Sequence, residues 1–263
     1  HPTARYHFST LTAVLRERFP DERLQVAHRL DRETSGLMLV ARDGASASFL
    51  KSAFQYRRIR KRYLAIAHGH VDPDLQVVEQ PIGPDDSVVR VRMTIRPLDQ
   101  GGLPSRTEVQ VLARSRSYSL LECRPFTGRQ HQIRVHLNAI GHPIAGDKLY
   151  PDETVFLRWI ARANADLAGD PGAGDDDVDD ESTAADDPTL TRDRHDAPPA
   201  ADDDGADMDG SDAQQPDLQL LLPRHALHAS GLIFPHPRTG EPVEVESPLP
   251  PDLAAFFAQD QER

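Results

Sequence analysis

A single cysteine, Cys123, occurs among the 263 residues. No internal disulfide can form, a zinc site built on several thiolates is excluded, and Cys123 reads as a buried strand residue in a reducing compartment. Long apolar runs are also missing. None approaches the roughly 18 residues of a membrane span, and the first residues show no charged start followed by an apolar stretch. A cytoplasmic protein with no membrane contact is expected. Apolar content is low at 38%, yet enough for one core.

Positive charge is scarce overall: 30 Lys and Arg stand against 42 Asp and Glu, a net of -12. The acids are unevenly spread, however. Residues 166–217 hold 19 Asp and Glu against only Arg192 and Arg194, so the rest of the chain carries +5. A mild basic excess of that kind suits a phosphate-binding surface.

The acidic stretch is dominated by Asp, Ala, Gly and Pro without helical or strand period, and disorder is expected there. It reads as a solvated insertion in a surface loop, or as an acidic decoy or docking tail. Elsewhere the pattern is mixed. Helices are expected at 9–19, from the cap Asp43 to Gln55, from the cap Thr127 to Gly141, and at 153–167. Strands are expected at 37–41, 60–68, 88–95, 105–112, 117–123, 227–234 and 242–246. This irregular mixture indicates an α+β fold in three pieces: residues 1–165, the insertion 166–217, and 218–263.

Two stretches carry chemistry. In "HRLDRETSGL", residues 28–37, Asp31 precedes an apolar run, where a rigid scaffold commonly presents a site. Asp31 could instead cap a turn or pair with Arg29 or Arg32, as exposed acids commonly do. In "FTGRQHQIRVHLNAIGHPIAGDKLY", residues 126–150, Arg129, His131 and Arg134 gather in the first turns of one helix, whose positive end attracts anions. An arginine so placed could hold an aspartate ionised.

Together, and in this order, the two stretches resemble the signatures of the RluA-type family of RNA pseudouridine synthases. "KRYLAIAHG" between them and "ALHASGLIFPHPRTGEPVEVESPLP" near the end extend the likeness over residues 3–165 and 222–251. The resemblance implies a mixed, largely antiparallel bent sheet with flanking helices and a central catalytic cleft. It implies Asp31 as the catalytic aspartate, Arg134 as its basic partner, and Tyr63 as the aromatic residue packed against the target base. Arg29 is implied as the residue that fills the space the flipped base vacates, and Ile133 as the apolar floor.

The implied reaction breaks the N1–C1′ bond of uridine, turns the base and rejoins it through C5, with no cofactor and no metal. The partner is RNA, ribosomal first and transfer RNA second, and a monomer is expected. Arg129, His131, Lys61 and Arg62 are expected to contact it, although the run Arg57–Arg62 could equally be a solvated face. The family's N-terminal strand and Lys-Pro-x-Gly stretch do not precede His1, so a shortened member is expected.

Three rival readings are weaker. A metal hydrolase on His131, His136 and His142 lacks a His-Glu-x-x-His pattern. A glycosidase on Asp31 and Glu33 lacks the required carboxylate spacing. A catalytically silent RNA-binding module of the same fold would not need Asp31, Tyr63 and Arg134 together.

Overall fold

A computed structural model of the chain describes residues 10–150 and 222–262, with 154, 156, 157 and 160 between them. The first helix, α1 (Leu11–Arg18), is capped by the Thr10 hydroxyl, which accepts the Ala13 N–H, and its Leu11, Val14 and the following Phe19 remain exposed. Three short strands follow: β1 (Gln25–Val26), β2 (Ser35–Gly36) and β3 (Val40–Ala41). The strand expected over 37–41 is therefore mostly not a strand. Its amides go to separate partners, Leu37 N–H to the Ala229 carbonyl and Leu39 N–H to the His28 ring, which interrupts a ladder. Asp43 caps α2 (Gly44–Gln55) by accepting the Ser46 N–H at 2.7 Å.

The main sheet comes next in sequence: β4 (Arg60–His68), β5 (Leu75–Val78), then the separate pair β6 (Ile82–Pro84) and β7 (Met93–Ile95), then β8 (Thr107–Arg114) and β9 (Tyr118–Pro125). The strand expected over 88–95 is cut to β7, because Arg92 N–H turns back to the Val89 carbonyl while Val88 and Val91 stay in solvent. Helix α3 (Gln132–Ala139), β10 (Leu227–Pro235), β11 (Pro242–Glu246) and α4 (Pro251–Glu262) complete the order. Thr127 is not the cap of α3. The helix starts five residues later, behind His131 in a left-handed conformation, and residues 127–131 form a loop instead.

The seven-stranded sheet runs β11-β10-β4-β9-β8-β5, antiparallel throughout, with β2 added parallel to β10. One face of β9 presents Leu121 and Cys123, both fully buried. They join Ala65, Val109, Ile133, Leu137, Leu253 and Phe257 in the main core, where each large aliphatic side chain contributes about 1.5–3 kcal/mol. One unit is built from His1–Ile160 and Pro216–Arg263. The expected acidic insertion at 166–217 lies outside the described residues, as does most of the expected helix at 153–167.

Gly36 explains how β2 reaches the sheet. A Cβ there would stand 2.3 Å from the Ala229 carbonyl oxygen, and φ is +110°, so only glycine permits this approach. The approach draws the preceding loop, which carries Asp31, against β10.

Candidate active site

A cleft of about 490 Å³ opens between the β1–β2 loop, β4 and the 127–134 segment. Asp31, Arg29, Lys61, Tyr63, Arg129, His131, Ile133 and Arg134 all line it. Residues 31 and 134, 103 positions apart, meet there: Arg134 Nη1 donates to Asp31 Oδ2 at 3.2 Å. The Asp31 side chain keeps 23% of its surface exposed, and its other oxygen accepts no hydrogen bond from the described residues.

Arg134 is buried by the packing of α3, and a lone buried guanidinium would be costly. Asp147 compensates it. Nε and Nη2 donate to the two Asp147 oxygens at 2.7 and 2.8 Å, and the guanidinium carbon stands 5.1 Å from the centre of the Tyr150 ring. Burial works against the charge of Arg134, but attraction to Asp147, their hydrogen bonds and Asp31 outweigh it and raise its pKa. Burial likewise opposes ionisation of Asp147, and Arg134 reverses that, leaving its pKa lowered. The pair is charged.

Burial moves the pKa values of several other groups in the cleft toward their neutral forms. Burial, then the charge of Arg134, brings the His131 imidazole down to about 4, and its Nδ1 lies 3.2 Å from the Tyr150 hydroxyl. His28 is brought to about 4 by burial and by Lys61, in keeping with Nε2 accepting the Leu39 N–H. Tyr63 is pushed up to about 12 by burial and by the Asp31 charge. Lys61, which donates to the Thr127 carbonyl at 3.0 Å, is lowered to about 8 by burial and by Arg57.

The loop carrying Asp31 is strapped from the far end of the chain. Glu33 accepts from Lys148 Nζ at 3.0 and 3.1 Å and from the His225 amide at 3.2 Å, while Thr34 Oγ1 lies 2.8 Å from His225 Nε2. Ser35 Oγ accepts from Arg224 at 2.9 Å. His225 is buried and brought to about 4, by burial and then Arg134, so it is neutral at pH 7.

The sequence profile described as RNA pseudouridylate synthase matches residues 1–139, more than half of the chain. The chain belongs to the RNA pseudouridylate synthase family. It is 34% identical over 235 residues to ribosomal large subunit pseudouridine synthase D of Nitrosomonas europaea, covering 89% of this chain and 51% of that protein. It is 36% identical over 158 residues to dual-specificity RNA pseudouridine synthase RluA of Vibrio vulnificus, covering 57% and 60%. The chain thus spans about half the length of the first relative and three-fifths of the second. The solved structure of human RNA pseudouridylate synthase domain containing 1 superposes with a TM-score of 0.64 at 26% identity, over 98% of this chain and 81% of that one. The α+β fold with a largely antiparallel sheet is that of the pseudouridylate synthases.

Within this family fold, one expected contact residue lies elsewhere. Arg62 is not in the cleft: the strand pleat turns it to the opposite face from Lys61 and Tyr63, where it pairs with Glu244 and Glu246 of β11. The rival metal set is dispersed as well. His136 is engaged by Thr107 and the Gln80 carbonyl, and His142 by the His68 carbonyl. Glu33, the second acid of the glycosidase reading, is tied to Lys148.

Sequence reasoning misses Asp147, Tyr150, Lys148 and His225. A partial signal is present in "AGDKLY": the adjacent charges of Asp147 and Lys148 stand among Ala145, Gly146, Leu149 and Tyr150, and if such a segment packs inside, each charge needs a partner of its own.

Proposed function

We propose that this chain is an RNA pseudouridine synthase that isomerises uridines in structured RNA, ribosomal RNA first and transfer RNA second. The observation that carries this reading is the ion pair of Asp31 with a buried Arg134 at the wall of an open cleft. Relatives named for ribosomal large subunit modification support the choice of RNA. Asp31 is the nucleophile or base at the target nucleoside, with Arg134 holding one of its oxygens. A uridine inside a folded RNA must first be flipped out, at a cost of a few kcal/mol recovered by stacking and backbone contacts. Tyr63 supplies the aromatic face, Ile133 the floor, and Arg29, exposed at the lip, fills the vacated space. Lys61, Arg129 and His131 contact the nucleotide and its phosphates.

The isomerisation is redox-neutral and keeps every atom of the base, so the reading calls for no cofactor and no metal. It also places the protein in the cytoplasm as a monomer. No helix among the described residues is long and apolar enough to cross a membrane. The test is Asp31→Ala, with pseudouridine quantified in ribosomal and transfer RNA and RNA affinity measured alongside. The variant should lose modification, a fall of about 10³-fold or more in rate, as removal of a central catalytic group does, and keep RNA affinity within several-fold. Modification at the parent rate would refute the assignment, and an inactive parent chain that still binds RNA would favour the silent module.

A further inference from the structure

His131 enters the cleft with one ring nitrogen tied and the other without a partner. Its backbone, just before α3, stands at φ 55°, in the left-handed region that a residue with a Cβ seldom adopts. Nδ1 lies 3.2 Å from the Tyr150 hydroxyl, and the other bonds of that hydroxyl decide which of the two donates. Tyr150 donates its proton to the Met93 carbonyl and accepts the Met93 N–H, both at 3.1 Å. Its single proton is thereby committed, and Nδ1 has to supply the proton of the third bond. A neutral imidazole carries one N–H, so Nε2 keeps a bare lone pair. Burial and the Arg134 charge keep the ring neutral, with its pKa down at about 4. Nε2 has no hydrogen-bond partner among the described residues; it faces the cleft 4.0 Å from Asp31 Oδ2, on a side chain only 10% exposed. An acceptor buried in this way needs a donor, and the cleft leaves the ligand to provide it.

A uridine inside an RNA chain has only two hydrogen-bond donors, the N3–H of the base and the 2′-hydroxyl of the ribose. Its O3′ and O5′ are esterified, and O2 and O4 only accept. The nearness of Nε2 to Asp31 chooses between the two donors. With Asp31 at the glycosidic carbon C1′, the donor beside it is the 2′-hydroxyl, carried on the very next carbon, whereas N3–H points away across the base. A single hydroxyl at ordinary hydrogen-bond lengths of about 2.8 Å reaches two atoms as close as Nε2 and Asp31 Oδ2. We propose that His131 is a specificity-determining residue for the sugar: its Nε2 accepts the 2′-hydroxyl of the everted uridine, so that the cleft favours a ribonucleoside over one lacking that donor. The 2′-hydroxyl is the group by which a protein tells RNA from DNA at a given position. This rests on the pseudouridine synthase reading above, with Asp31 acting at the sugar end of the nucleoside.

The experiment compares the full parent chain with His131→Leu on a ribosomal RNA fragment that the parent modifies. The fragment is made twice, with uridine or with 2′-deoxy-2′-fluorouridine at the target position; fluorine keeps a ribose-like pucker and donates no hydrogen bond. Affinity is the readout, so it holds whether or not the fluorinated fragment is turned over. The parent should bind the uridine fragment about 3- to 10-fold more tightly, the scale of one neutral hydrogen bond. His131→Leu should bind the two fragments within about twofold of each other, because the preference and the acceptor form one coupled pair. A parent without the preference, or a folded His131→Leu that retains it, overturns the proposal. If His131→Leu does not fold, nitrogen NMR of the histidine-labelled parent at pH 7 carries the test together with the parent's preference. It should show a protonated Nδ1 and an unprotonated Nε2, and the opposite tautomer overturns the proposal. The two failures are distinguishable: a parent that forms no pseudouridine in ribosomal or transfer RNA removes the functional reading itself, whereas an active parent whose preference survives in His131→Leu removes only the role of His131.

Discussion

Lys61 and Arg62 are neighbours in β4 and meet opposite fates. Lys61 faces the cleft, half-buried, bonded to a carbonyl, its pKa lowered to about 8. Arg62 faces outward and is held by Glu244 and Glu246. Charge count along the run Arg57–Arg62 therefore says little about RNA contact. The pleat decides, because a period of two sends successive side chains to opposite faces.

The comparison breaks first at Tyr63, which shares the cleft face with Lys61. Base stacking on an aromatic ring contributes about 1–3 kcal/mol, so Tyr63→Leu should lower kcat/KM about 10- to 100-fold in a steady-state assay. A change of only twofold would mean that this face is not where the base rests.

A smaller effect belongs to Lys61. Lys61→Met should weaken RNA binding about tenfold at pH 7, within the range expected for one desolvated contact to phosphate. The parent should also lose affinity as pH rises through about 8, where Lys61 sheds its proton. Its folded pKa lies below the ordinary 10.5, so between about 8 and 10.5 the unfolded chain binds the extra proton, and this group's contribution to folding stability rises with pH while its charge toward RNA disappears. Anisotropy titrations from pH 6.5 to 9 should show the slope in the parent and a flatter line in the variant. Identical slopes would remove Lys61 from the interface.

The smallest effect is expected at Arg62. Its partners are more than half exposed, and such pairs contribute about 0–1 kcal/mol. Arg62→Ala should leave RNA affinity within about twofold and urea stability within about 1 kcal/mol. If it weakened binding as much as Lys61→Met, both faces of β4 would have to touch RNA.

Local periodicity makes much of this legible. The alternation of Tyr63, Ala65 and Ala67 along β4 and the Asp43 cap of α2 are written in a few adjacent residues, and they appear where expected. Thr127 misleads because its side chain serves a tertiary contact: the hydroxyl accepts the Arg106 amide and donates to Gln132, which leaves residues 127–131 free to line the cleft. Asp31 and Arg134 are reached through a resemblance to whole motifs, since nothing local to either residue reveals a partner 103 positions away. Asp147 stays silent for the same reason. Its meaning lies in a guanidinium from the preceding helix, which spacing alone does not disclose.

The straps on the Asp31 loop have a consequence for how the protein is made. Glu33, Thr34, Ser35 and Gly36 are each held by residues 224–229, which leave the ribosome about 190 residues after them. A chain made only as far as residue 223 lacks these holds, so the loop that carries Asp31 is fully strapped only once residues 224–229 have emerged.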